Sequence, residues 1–128
     1  MIIFLRHGQA ENNTKKILAG RSPGVNLTET GIQQAEQTGK MLELLNVSKI
    51  YSSPIDRALQ TAEIVGKHCD LEIIPDQRLI ELDMGKFTKM PYDEIFAKHG
   101  NVFLKFYEGN DEVSENGVET FATVQKRV

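Results

Sequence analysis

Met1-Ile2-Ile3-Phe4-Leu5-Arg6-His7-Gly8 opens the chain, and its reading decides the fold. Five consecutive apolar side chains leave no polar face, so residues 1–5 read as a strand buried on both faces, the pattern of a parallel sheet. A cation and an imidazole follow directly on its carboxyl end. In an open parallel sheet, that rim is where ligands bind. A guanidinium can hold phosphate oxygens, and an unprotonated imidazole nitrogen can attack phosphorus.

The elements that follow fit a parallel sheet. Residues 9–26 are polar and hold Gly20, Pro23 and Gly24, which predicts a loop. Thr28 is a good N-cap, with Leu27 and Ile32 spaced as a hydrophobic staple. Ile32, Ala35, Leu42 and Leu45 recur at helical spacing behind it. Residues 49–52 read as a second strand, led by Ile50 and Tyr51. Ser53 and Pro54 predict a cap and first helical position, and Ile55, Ala58, Leu59, Ala62 and Val65 give that helix its apolar face. Residues 71–74 read as a third strand, stopped by Pro75-Asp76. This β-α-β-α-β order predicts parallel strands with right-handed crossovers. Short helices are expected at Tyr92–His99 and Val102–Tyr107 around Gly100. An acidic, mobile loop is expected over residues 110–116. Val118, Phe121, Val124 and Val128 then begin a last amphipathic helix with no stop signal. One domain over residues 1–128 is expected, incomplete at its C-terminus.

Composition narrows the function classes. The chain has 128 residues, 40% of them hydrophobic and 26% charged, as in a soluble globular protein. A net charge of −3 argues against a sequence-independent nucleic-acid binder, so any anion site must be local. The single cysteine, Cys69, excludes an intrachain disulfide framework and suits a reducing compartment. With neither a long apolar span nor a signal-like leader, a cytoplasmic location and no membrane partner are expected.

Three βα connections bring chemistry to one rim. Arg6 and His7 follow the first strand, Arg57 lies one turn into the helix after the second, and Glu81 follows the third. Two arginines suit a phosphate dianion, each offering forked donors. Arg6 and His7 alone would read as surface residues; the register with Arg57 and Glu81 changes that. Glu81 could instead form an ion pair with Arg78. Arg21, beside Gly20, is a candidate substrate contact, although a solvated loop arginine reads as well. Phe103, Phe106 and Tyr107 read as packing for a cap over the site. No dense Asp/His cluster suggests a metal, and no cofactor is expected.

The ordered motifs resemble the histidine phosphatase superfamily, also called the phosphoglycerate mutase-like family. Arg6-His7-Gly8 matches its opening triplet, and Asn13 the asparagine that follows. Leu27-Thr28, Gly31, Gln34 and Ala35 match its Leu-Thr-x-x-Gly and Gln-Ala elements. Residues 52–62, with Arg57, match Ser-Ser-Pro-x-x-Arg-Ala-x-Gln-Thr-Ala, and Leu79, Glu81 and Gly85 match Leu-x-Glu-x-x-x-Gly. The resemblance implies a phosphoglycerate mutase-like, three-layer α/β/α sandwich with a largely parallel sheet. It implies a metal-independent phosphohydrolase acting on a small phosphorylated metabolite. In that scheme His7 becomes phosphohistidine, Arg6, Asn13 and Arg57 bind the phosphoryl oxygens, and Glu81 is acid and then base. Gly20 and Arg21 are candidate substrate contacts.

The pattern also breaks. The family uses a second histidine, in a Ser/Thr-His-Gly-like motif on a later strand. The histidines here are His7, His68 and His99, and neither of the latter two sits in such a motif. The sequence is therefore expected to be part of a longer protein lacking its C-terminal strands, with weak stability and impaired turnover alone. An unfilled gap in the sheet would invite association, so a homodimer is a further expectation. Two other functions compete. The mutase branch typically continues Glu-Arg-His-Tyr-Gly, whereas Glu81-Leu82-Asp83-Met84-Gly85 favours hydrolysis. A non-catalytic phosphate-binding module is suggested by the absent second histidine.

Overall fold

The computed structural model describes residues 1–109 and 114–128. The expected acidic loop therefore lies partly outside the described residues, over 110–113.

The architecture is α/β, with a parallel sheet. Helix α1 (Glu11–Lys15) leads to α2 (Glu29–Glu43), β1 (Ile50–Ser52), α3 (Asp56–Cys69), β2 (Ile73–Pro75), α4 (Tyr92–His99), α5 (Val102–Tyr107) and α6 (Phe121–Arg127). Strands β1 and β2 pair in parallel, with Ile50 opposite Ile73 and Ser52 opposite Pro75. Helix α3 crosses between them and packs against both strands and against α2. Single 3₁₀ turns occupy Gln77–Leu79 and Gly85–Phe87.

Local chemistry sets most boundaries. Thr28 Oγ1 accepts from the Gly31 amide at 3.1 Å and caps α2. Helix α3 carries Asp56 in its first turn and Lys67 and His68 in its last, which complements the helix dipole. Asp70, in the left-handed region at φ 52°, ends it. Gly100 ends α4, and Asn101 Oδ1 caps α5 by accepting from the Leu104 amide at 3.0 Å.

Three expectations are corrected. Residues 1–5 form no ladder, and Ile2 and Phe4 are 81% and 93% exposed. A strand needs a neighbour to pair its backbone, and among the described residues none lies beside this segment. The loop over residues 9–26 contains α1, because Asn13 Oδ1 accepts from the Ala10 amide at 2.9 Å and nucleates a turn. Helix α3 starts at Asp56 rather than Pro54, with Ile55 extended at its N-cap. Ser53 Oγ reaches only the Ile55 amide, at 3.4 Å.

The packing has two parts. Helix α2 buries Gly31, Ala35 and Gly39, while Ile32, Met41 and Leu45 stay exposed. Small residues let α2 approach α3, and a Cβ at Gly39 would stand 2.4 Å from the His68 ring. A second core gathers Met84, Phe87, Ile95, Val102 and Val118 beneath α4 and α5. Residues 116–119 run antiparallel to 83–86, with Met84 bridged to Val118. Gly85 adopts φ +52°, and a Cβ there would lie 2.3 Å from the Asn116 carbonyl oxygen.

Candidate active site

The rim residues converge on one cavity of about 410 Å³. Arg6, His7, Arg57 and Glu81 line its polar side, and Asn12, Asn13 and Gly20 complete that side. Leu18, Leu82, Met84 and the rings of Tyr92, Phe103 and Phe106 form the opposite wall.

His7 is held from downstream. The Gly8 amide donates to Thr61 Oγ1 at 3.1 Å, and the Gln9 amide donates to Gln34 Oε1 at 2.8 Å. Gly8 presses on Gly31: a Cβ at Gly8 would meet the Gly31 carbonyl oxygen at 2.5 Å. The Nδ1–H of His7 donates to the Gly8 carbonyl at 2.7 Å, which fixes the tautomer, because a carbonyl can only accept. Nε2 therefore carries the lone pair, and it accepts from Arg57 Nε at 3.4 Å. Burial pulls the imidazole pKa below its ordinary value. The Gly8 bond opposes this, while Arg57 and Arg6 reinforce it. Burial and the two neighbouring cations thus favour the unprotonated ring, against the opposing pull of Gly8 and Glu81.

Arg57 is 3% exposed on the inner face of α3, one turn before Thr61. Its Nη2 donates to the Gly20 carbonyl at 2.9 Å and stands 3.5 Å from Glu81 Oε2. Its Nη1 is buried with no hydrogen-bond partner among the described residues. An unpaired buried guanidinium donor is costly unless a ligand completes it. Beside a neutral imidazole, the matching ligand is an anionic oxygen.

Glu81 is more open, with its side chain 44% exposed. Its Oε1 accepts from the Leu82 amide at 2.8 Å. Arg78 pairs with Asp76 rather than with Glu81, and holds that carboxyl down at about 2. Arg6 is exposed at the cavity edge. Asn13 reaches the cavity, but its Oδ1 is engaged with the Ala10 amide. Gly20 contributes the carbonyl that anchors Arg57. Arg21 is absent from the cavity wall: its Nε donates to the Glu81 carbonyl at 2.7 Å and its Nη2 pairs with Glu119 at 3.0 Å. His68 pairs with Glu36 of α2, and His99 stands edge-on to Phe87, so neither lines the cavity.

Sequence reasoning missed Thr61, Glu119 and Arg127. Thr61 carried a signal, since four residues after Arg57 it shares the same helix face. Among the described residues, no three His, Cys, Asp or Glu side chains gather closely enough to hold a metal ion. No helix there is long and apolar enough to cross a membrane.

Known proteins carry the same pattern. The chain is 40% identical over 84 residues to a 2,3-bisphosphoglycerate-dependent phosphoglycerate mutase of Thermoplasma acidophilum, covering 66% of this chain and 42% of the mutase. It is 32% identical to phosphoserine phosphatase 1 of Hydrogenobacter thermophilus, covering 99% of this chain and 60% of that one. It thus spans 42–60% of the length of these curated relatives. The fold matches YhfR of Bacillus stearothermophilus at a TM-score of 0.82 and 34% identity, over 95% of this chain and 60% of that one. It matches a mycobacterial glucosyl-3-phosphoglycerate phosphatase, solved with VO3, at a TM-score of 0.84 and 27% identity, over 96% and 58%. Residues 2–128 match the model of the histidine phosphatase superfamily (branch 1). With the rim motifs, the fold and the family model in agreement, the chain belongs to the histidine phosphatase superfamily.

Proposed function

We propose that the protein is a phosphohydrolase that releases phosphate from a small phosphomonoester through a phosphohistidine on His7. One observation carries this reading: His7 Nε2 stands 3.4 Å from Arg57, whose buried Nη1 has no hydrogen-bond partner among the described residues. The phosphoryl group would complete Arg57, with Arg6 on its outer side. The lone pair of Nε2 attacks phosphorus as the ester P–O bond breaks. Glu81 gives its proton to the departing oxygen. The Nδ1–H bond to Gly8 supports the positive charge that the ring gains. Water then attacks phosphorus, Glu81 takes its proton, and the N–P bond breaks to free phosphate. The arginines face the charge that develops on the phosphoryl oxygens.

The cavity supports a substrate with a single phosphate. Among the described lining residues, Arg6 and Arg57 are the only cations, and both belong to the phosphate end. The wall after Glu81 is apolar, with Leu82 and Met84. A mutase reading is favoured by the 40% identity to the Thermoplasma mutase. Incubating the full-length protein with 3-phosphoglycerate, with and without 2,3-bisphosphoglycerate, separates the two. Isomerisation faster than phosphate release would overturn hydrolysis. Acid-labile radiolabel on the protein, lost in His7→Ala, is expected from a labelled phosphomonoester. Ligand binding with no label would leave a non-catalytic phosphate-binding module.

A further inference from the structure

Glu81 stands on irregular backbone between the turns Gln77–Leu79 and Gly85–Phe87. Neither a helix nor a named strand sets its direction. An ionic cluster beside it does. The Glu119 side chain is 8% exposed. Its Oε1 accepts from Arg127 Nε at 2.7 Å. Its Oε2 accepts from Arg21 Nη2 and Arg127 Nη2, both at 3.0 Å, and from the Asp83 amide at 3.2 Å. The Glu119 amide returns a bond to the Asp83 carbonyl at 2.8 Å.

Both arginines spend their remaining donors on the same stretch. Arg21 Nε donates to the Glu81 carbonyl at 2.7 Å, and Arg127 Nη1 donates to the Arg78 carbonyl at 2.6 Å. Residues 78, 81 and 83 are thus each gripped at the backbone. The grip leaves the Glu81 carboxylate to Arg57 and the cavity.

We propose that Glu119, with Arg21 and Arg127, is a positioning cluster that aims Glu81 at the leaving-group oxygen. The inference rests on the reading of Glu81 as the acid. A buried carboxylate shared by two guanidinium groups is firm only while every partner is present, since removing one leaves an uncompensated charge. The cluster therefore joins Arg21 to the pair of Glu119 and Arg127 as an ionic support for this loop, beside the bridge between Met84 and Val118.

Leaving groups provide the test. An aryl phosphate such as p-nitrophenyl phosphate departs without a proton, whereas an alkyl phosphate such as glycerol phosphate needs one. The ratio of kcat/KM for the two is measured in the full-length protein, in wild type, Glu81→Gln, Glu119→Gln and Arg127→Lys. Unfolded material lowers both rates equally and cancels in the ratio. Glu81→Gln should raise the aryl-to-alkyl ratio by roughly 10²–10⁴-fold. Glu119→Gln should raise it by roughly 10–10²-fold through misplacement of the acid. Arg127→Lys, which keeps the charge but loses the fork, should raise it less. A shifted ratio in Glu81→Gln with wild-type ratios in both cluster variants would overturn the positioning role alone. An unshifted ratio in Glu81→Gln would overturn the acid reading, and this inference with it.

Discussion

Arg57 and Glu81 face each other across 3.5 Å, yet they reach the cavity by different means. Arg57 rides on α3, a 14-residue helix packed against α2 and both strands. Its position is inherited from regular hydrogen bonding and packing. Glu81 rides on irregular backbone, and charges from three separate parts of the chain hold it. On the proposed reading, the comparison teaches that one site can combine a rigid anion holder with a proton carrier whose geometry depends on electrostatics. A phosphate needs its donors in place before it arrives. A group that gives and takes protons is better left partly open to water, and Glu81 is.

The sharpest way to break this contrast is to remove Arg57. Arg57→Ala should lower kcat/KM by roughly 10²–10³-fold, equally for aryl and alkyl phosphates, because it serves the phosphoryl group and not the leaving oxygen. A loss confined to alkyl esters would merge the two roles. Gly85→Ala attacks the other side. Its φ of +52° and the 2.3 Å approach to the Asn116 oxygen predict destabilisation of about 1–3 kcal/mol, read from the urea midpoint. An unmoved midpoint would show that residues 116–119 do not brace this loop.

The third effect is a shift in titration. By NMR, His7 should titrate below 6.5, and Arg57→Ala should move it upward, because burial and the neighbouring cation both disfavour imidazolium. The sign for stability follows from linkage. A depressed histidine pKa contributes stability that is full above the unfolded value of 6.5 and is lost as pH falls from there through the folded value. A His7 titration above 6.5 would remove the case for a neutral nucleophile. The smallest effect is local opening. Amides of residues 80–84 should exchange hydrogen faster than those of residues 61–66 in α3, and Glu119→Gln should speed exchange across residues 80–84, the Asp83 amide most. Equal protection of the two stretches would erase the distinction.

What could be read from the chain divides along the same line. Helices α4 and α5 were legible to the residue, because Gly100 and Asn101 act on their immediate neighbours. The convergence of Arg57 and Glu81 was legible from strand order, since a parallel sheet sends its βα connections to one edge; Arg6 and His7 join them in the cavity although residues 1–5 form no ladder. The state of residues 1–5 was not. Five apolar side chains report what a segment suits, and not whether a strand lies beside it. Asn13 lines the cavity, where its Oδ1 accepts from the Ala10 amide and an anion would be met by the donor Nδ2. The roles of Glu119 and Arg127 were not legible in the sequence, because nothing local announces a meeting with Arg21, 98 positions before Glu119.

The downstream anchoring of His7 has a consequence in time. The Gly8 amide is held by a hydroxyl 53 residues further along the chain. During synthesis, His7 emerges before the Thr61 hydroxyl that holds its neighbour. Until α3 is in place, His7 has no Arg57 beside it and the cavity lacks that wall. On the proposed reading, the attacking group is completed only together with the cavity that restrains it.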